Sequence, residues 1–93
     1  MKPRRSALFV PGINERALEK ACSLACDVII FDLEDAVAAD AKIHARQRVQ
    51  EALVQGDYGR RELVVRCNGS ETPWWHDDVE AFVRSRADGL LFP

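Results

Sequence analysis

Four short apolar runs, at positions 7–10, 28–33, 62–67 and 89–92, alternate along the chain with three stretches whose apolar residues recur at helical spacing. The runs are rich in Val, Ile, Leu and Phe and mostly lack polar alternation. That pattern predicts parallel strands buried on both faces. The first helix is expected to start at Asn14, a good N-cap, with Glu15 in its first turn and an apolar stripe of Leu18, Ala21, Cys22 and Ala25. The second is expected to start near Asp40, to bury Ala45, Val49, Ala52 and Leu53, and to end at Gly56. For the third, Thr72 is the expected cap and Pro73 the first helical residue. Trp75, Val79, Phe82 and Val83 form its expected buried face, with Arg84 and Arg86 at its C-terminal end, where cations suit the helix dipole.

Strand–helix alternation means α/β with a parallel sheet. Two architectures fit, an eight-stranded (β/α) barrel and an open doubly wound sheet. A complete barrel needs roughly 250 residues, so 93 residues can supply only its N-terminal portion, about four strands and three helices. Residues 25–31 and 86–92 each read as a helix end, an Asp turn and an apolar strand reaching Phe, as repeated βα units would. No linker divides the chain, so residues 1–93 are expected to form one incomplete domain.

Composition adds exclusions. A formal net charge of -2, with both signs interspersed, gives no footprint for nucleic acid or membrane. The basic start, residues 1–6, and the apolar stretch behind it are too brief for a signal peptide or a spanning helix. Three cysteines without framework spacing do not suggest disulfides, and reduced thiols fit a cytoplasmic setting. Cys22 and Cys26, one helical turn apart, read as small packing residues before a metal pair.

In both architectures chemistry collects at the C-terminal ends of strands. After the first run, Pro11-Gly12 makes a tight turn before Asn14. After the second come Asp32, Glu34 and Asp35. Three carboxylates at the end of an apolar strand need a cation, a metal ion or ordered water. Asp32 and Glu34 share one face of an extended strand. The third run ends in Arg66, which shares a face with Val64 and Asn68. Two readings of Arg66 stand level: a salt bridge to Asp32 or Glu34, and a bidentate clamp for a substrate carboxylate. His44 and His76 are lone helical histidines, and His76-Asp77-Asp78 does not offer a shared ligand face. The acids there suit the helix N-terminus, while Trp74 and Trp75 read as packing and loop anchors.

The segments Arg5-Ser6-Ala7-Leu8-Phe9-Val10-Pro11-Gly12, Asp32-Leu33-Glu34-Asp35-Ala36-Val37, and Val65-Arg66-Cys67-Asn68 with Thr72-Pro73-Trp74-Trp75 together resemble the citrate lyase β-subunit / HpcH–HpaI aldolase family. The resemblance runs across essentially the whole chain. It implies a TIM (β/α)8 barrel and an Mg2+-dependent carbon–carbon lyase acting on acyl-CoA thioesters of the citryl- or malyl-CoA type. It further implies a homo-oligomer or lyase complex, with CoA as part of the substrate. Arg66 falls at the oxo-acid-gripping arginine, and Phe9 and Lys20 at CoA-contacting positions of malyl-CoA lyases. Glu34 and Asp35 fall beside the metal, as outer-shell residues. Asn14 departs from the pattern, standing where those enzymes carry an arginine. The direct Mg2+ ligands are expected beyond residue 93, so the chain alone is expected to be inactive. The alternatives are a non-catalytic βα module that assembles with another chain and, last, an open-sheet receiver or nucleotide-binding domain, for which no Gly-x-Gly-x-x-Gly is present.

Overall fold

The computed structural model describes residues 6–23, 26–35 and 37–93. Element order is β1 (Ala7–Pro11), α1 (Glu15–Ala21), β2 (Val28–Asp32), a 3-10 turn (Ala39–Ala41), α2 (Lys42–Gln55), β3 (Glu62–Arg66), α3 (Trp75–Phe82) and β4 (Gly89–Leu91). Each strand pairs in parallel with the strand before it, in the order β1-β2-β3-β4. A doubly wound sheet reverses its strand order at a switch point. Sequential order without reversal is that of a barrel wall, and it removes the open-sheet alternative.

Register sorts the side chains into two faces. Ile29 and Phe31 lie beside Leu8 and Val10 on one side and Leu63 and Val65 on the other. These residues face the helices, and Ile29, Phe31 and Val65 are fully buried with Ala45, Val49 and Leu53 of α2. Each such aliphatic or aromatic side chain removed from water contributes about 1.5–3 kcal/mol. The opposite face carries Phe9, Ile30, Val64 and Leu91, and among the described residues nothing covers it. Phe9 and Leu91 stay 49% and 41% exposed. The strands are therefore apolar on both faces, as expected, but buried on one.

Tyr58, in the loop before β3, adds a core residue that periodicity did not single out. Its ring meets Phe31 edge-on at 5.4 Å and its hydroxyl donates to the Leu18 carbonyl at 3.4 Å.

The helix ends differ from expectation in instructive ways. Asn14 does cap α1, its Oδ1 accepting the Ala17 N–H at 3.0 Å. Ala25, placed on the α1 stripe, lies outside the described residues, as do Arg5 and Ala36 of the quoted motifs. Thr72 and Pro73 sit before α3, not in it: the Thr72 hydroxyl donates to the Gly69 carbonyl, closing a turn, and the helix begins at Trp75. On α3, Val83 is exposed while Asp78 is buried, so the inward face is rotated from the expected one. Arg86 serves a different helix. Its Nη1 donates to the Leu53 and Gly56 carbonyls at the end of α2, at 3.0 and 3.1 Å. Arg61 does the same for α1 through the Cys22 carbonyl at 2.8 Å. Long arginine stems reach across the layer to carbonyls that have no partner within their own helix.

The repeat has a structural counterpart. The Asp27 carboxylate accepts the Ser6 N–H ahead of β1, and the Asp88 carboxylate accepts the Leu63 N–H of β3. In both passages an Asp before a strand ties the start of the preceding one.

All three cysteines are free. Burial, with Asp78 nearby, pushes the Cys67 thiol up to about 12, which keeps it protonated and unreactive at neutral pH. Cys22 and Cys26 are half-buried. Iodoacetamide labelling of the native chain, followed by mass spectrometry, is expected to leave Cys67 unmodified until denaturant is added. Cys67 alkylation at the rate of the other two would contradict its burial.

Candidate active-site rim

β2 and β3 end side by side, with Asp32 in register with Arg66. Both residues lie on the uncovered face at the C-terminal rim of the sheet. The guanidinium bonds the carboxylate side-on, Nε to Oδ1 at 3.0 Å and Nη2 to Oδ2 at 2.6 Å. Asp32 Oδ1 also accepts the amides of Glu34 and Asp35, at 2.9 and 3.2 Å. Burial by itself raises the Asp32 carboxyl, but the Arg66 hydrogen bonds and charge together with the two amides outweigh it and hold the group below its ordinary 3.8. Arg66 is raised in turn by its bond to Asp32. A depressed carboxyl contributes stability above its unfolded value and loses it as pH falls through the folded one. The pair is thus fully formed at neutral pH, and its contribution is lost as pH falls below the ordinary carboxylate value.

The two amides that bond Asp32 bend the chain off the strand and aim the next two side chains at the same cation. Glu34 Oε1 and Asp35 Oδ2 lie 3.8 and 3.9 Å from Arg66 Nη2. The Phe9 ring from β1 sits 5.2 Å from the guanidinium carbon, a cation–π distance. Lys42, at the start of α2 and buried, holds the loop from behind. Its ammonium donates to the Leu33 and Glu34 carbonyls at 3.0 and 2.7 Å and lies 5.6 Å from the Trp74 ring. Gly12 closes the floor. Its N–H donates to the Asp32 carbonyl at 2.9 Å, and a Cβ there would meet Val49 and Leu33 side chains and that carbonyl at 3.0–3.1 Å.

The rim therefore gathers Phe9, Asp32, Glu34, Asp35 and Arg66. Lys20 is not part of that group; it is exposed in the last turn of α1, which has by then run back from the rim. Asn68 also turns elsewhere. It is buried, and its backbone and side-chain amides both donate to Asp78 Oδ2, at 3.1 and 2.6 Å. Arg46 of α2 donates to the other oxygen at 2.8 Å.

The HpcH/HpaI aldolase/citrate lyase family matches residues 5–93. The chain belongs to that family. Among relatives, a (3S)-malyl-CoA thioesterase of Cereibacter sphaeroides is 59% identical over 91 residues, covering 98% of this chain and 32% of that protein. The citrate lyase subunit beta of Leuconostoc mesenteroides subsp. cremoris is 46% identical, over 97% of this chain and 30% of the relative. Among solved structures, the protein CitE from Mycobacterium tuberculosis in complex with magnesium, acetoacetate and coenzyme A superposes with a TM-score of 0.78 at 29% identity, over all of this chain and 33% of that one. The chain thus spans about a third of the length of these family members, and the four strands and three helices of its described residues are the opening portion of a (β/α)8 barrel.

The magnesium belongs to that relative; the rim carboxylates of this chain already have cationic or amide neighbours. Asp32 is committed to Arg66 and two amides. Glu34 and Asp35 each stand within 4 Å of a guanidinium, which disfavours a bare divalent cation between them. On α3, His76, Asp77 and Glu80 place ligand atoms within 4.8 Å of one another, but all three are exposed and Asp78 points inward.

Lys42 and Asp78 are the residues that sequence reasoning missed. Lys42 carried no signal beyond its place in a helix start. Asp78 carried one that misled, since an acid in a first helical turn is explained by the dipole alone.

No helix among the described residues is long and apolar enough to cross a membrane.

Proposed function

We propose that residues 1–93 supply the carboxylate-gripping rim of an Mg2+-dependent enzyme acting on a CoA thioester of a hydroxy dicarboxylic acid, of the malyl-CoA type. The observation that carries this reading is the Arg66 guanidinium at the strand-end rim, fixed along one edge and flanked by Phe9, Glu34 and Asp35. Arg66 binds the free carboxylate, or the oxo-acid formed from it. Phe9 at the rim and Lys20 on α1, away from it, are assigned to the CoA side of the substrate, which would extend over α1 to reach both. A bound divalent ion would stabilise negative charge developing on oxygen. Its ligands are assigned to the rest of the barrel, with Glu34 and Asp35 orienting its waters.

Carbon–carbon cleavage is the reaction expected from the family resemblance. Hydrolysis of the thioester is a second reading, favoured by the higher identity to the relative named a thioesterase, 59%, than to the one named a citrate lyase subunit, 46%.

The test is a complete barrel made by joining residues 1–93 to the remaining two thirds of the Cereibacter sphaeroides thioesterase. That fusion is expected to consume malyl-CoA in the presence of Mg2+, and product analysis separates carbon–carbon cleavage, which gives acetyl-CoA and glyoxylate, from hydrolysis, which gives free CoA and malate. A folded fusion inert toward malyl-CoA in both assays would sink the reading. The 93-residue chain by itself is expected to show no Mg2+-dependent turnover and to self-associate in sedimentation, because one sheet face stays apolar and uncovered. A monomer with metal-dependent turnover would place the metal ligands within these 93 residues.

In the fusion, Glu34→Gln and Asp35→Asn are each expected to weaken Mg2+ binding by ~10–100-fold, as loss of outer-shell partners does. Unchanged affinity in both, by calorimetric titration, would make the acidic loop a scaffold only.

A further inference from the structure

We infer that Asp32 is a positioning residue: it fixes the guanidinium of Arg66 by its side edge so that the end edge is presented to the substrate carboxylate. This rests on the role proposed above for Arg66. A guanidinium carries five N–H groups in one plane. Asp32 takes the Nε–H and one N–H of Nη2, at 3.0 and 2.6 Å. The second N–H of Nη2 and an N–H of Nη1 then run parallel at the far end, the fork that a second carboxylate accepts bidentately. The salt bridge and the clamp, which the sequence posed as alternatives, are two edges of one group.

Three further features make this a fixed presentation. Asp32 cannot swing, because it is buried and the Glu34 and Asp35 amides hold its Oδ1. The Phe9 ring, 5.2 Å from the guanidinium carbon, covers one face of the plane. Glu34 and Asp35 flank Nη2 at 3.8 and 3.9 Å, beyond hydrogen-bond distance, and so leave its outer N–H unclaimed by them. A flexible arginine would lose conformational freedom on gripping a ligand; one already held along an edge has less to lose.

The experiment uses the fusion barrel with malyl-CoA as substrate. Asp32→Asn keeps the size of the side chain but turns one acceptor oxygen into an amide that faces guanidinium N–H groups. KM is expected to rise ~10-fold or more, the scale of a lost charge-assisted hydrogen bond, with kcat changed much less. In an Arg66→Gln background the same replacement is expected to add nothing to KM, because Asp32 acts through Arg66. If Asp32→Asn does not fold, Asp32→Glu is read in the same way, since it keeps the charge but shifts the carboxylate out of side-on register. A wild-type KM in the folded variant overturns the inference while leaving the proposed function standing. So does a loss of equal size in both backgrounds accompanied by a lower denaturation midpoint, which marks a scaffold role. An inert parent fusion overturns the proposed function and this inference with it.

Discussion

Arg66→Lys in a complete barrel is expected to lower kcat/KM for malyl-CoA by about 100-fold or more, since it removes at least two charge-assisted hydrogen bonds worth ~1.5–3 kcal/mol each. In the proposed role Arg66 would do two jobs with one planar group. Its side edge satisfies Asp32, and its end edge would take the substrate carboxylate. An ammonium is a point charge on a flexible stem and cannot form two parallel forks. It would be drawn to Asp32 as its strongest neighbour, because that carboxylate is buried and held below its ordinary 3.8. The outer edge would then be empty. Steady-state kinetics of the fusion, with circular dichroism to show that the variant folds, would measure the loss. Turnover within a few-fold of wild type would remove Arg66 from the substrate site and return it to a purely structural pair.

Asp78→Ala is expected to be the most damaging single change to the fold, at about 3–5 kcal/mol, the cost of leaving a buried charge without its partner. Asp78 is fully buried in α3. It bonds Arg46 of α2 through one oxygen and both amides of Asn68 through the other. Removing it strands a guanidinium only 13% exposed and two amide donors at once. Asp78→Asn is expected to cost less, because its carbonyl can still accept from Asn68. Because Asn68 follows the strand that ends in Arg66, the loss would reach the rim as well. Chemical denaturation of the fusion barrel would give the shift. A midpoint near wild type for Asp78→Ala would mean that water replaces the carboxylate.

The class and the order of elements are legible along the chain. Apolar runs without polar alternation require a parallel sheet, and intervening stripes at helical spacing supply its crossovers. The helix start at Asn14, the end at Gly56 and the gathering of Asp32, Glu34 and Asp35 at a strand end are local signals, set by a few adjacent residues. The motifs at Asp32–Val37 and around Arg66 were enough to indicate the family. Features that depend on neighbours distant along the chain emerge only from packing. Barrel order over an open sheet rests on which strands pair, and strand composition is the same in both. The pairing of Arg66 with Asp32 was not legible until the register put them side by side, 34 residues apart along the chain, in side-on geometry. Asp78 looked like a dipole acid because its partners, Arg46 and Asn68, lie 32 and 10 residues off. Arg86 looked like the cation of its own helix, yet its long stem reaches the carbonyls that end α2. Buried polar groups need partners wherever the chain can bring them, and packing, not local spacing, selects them.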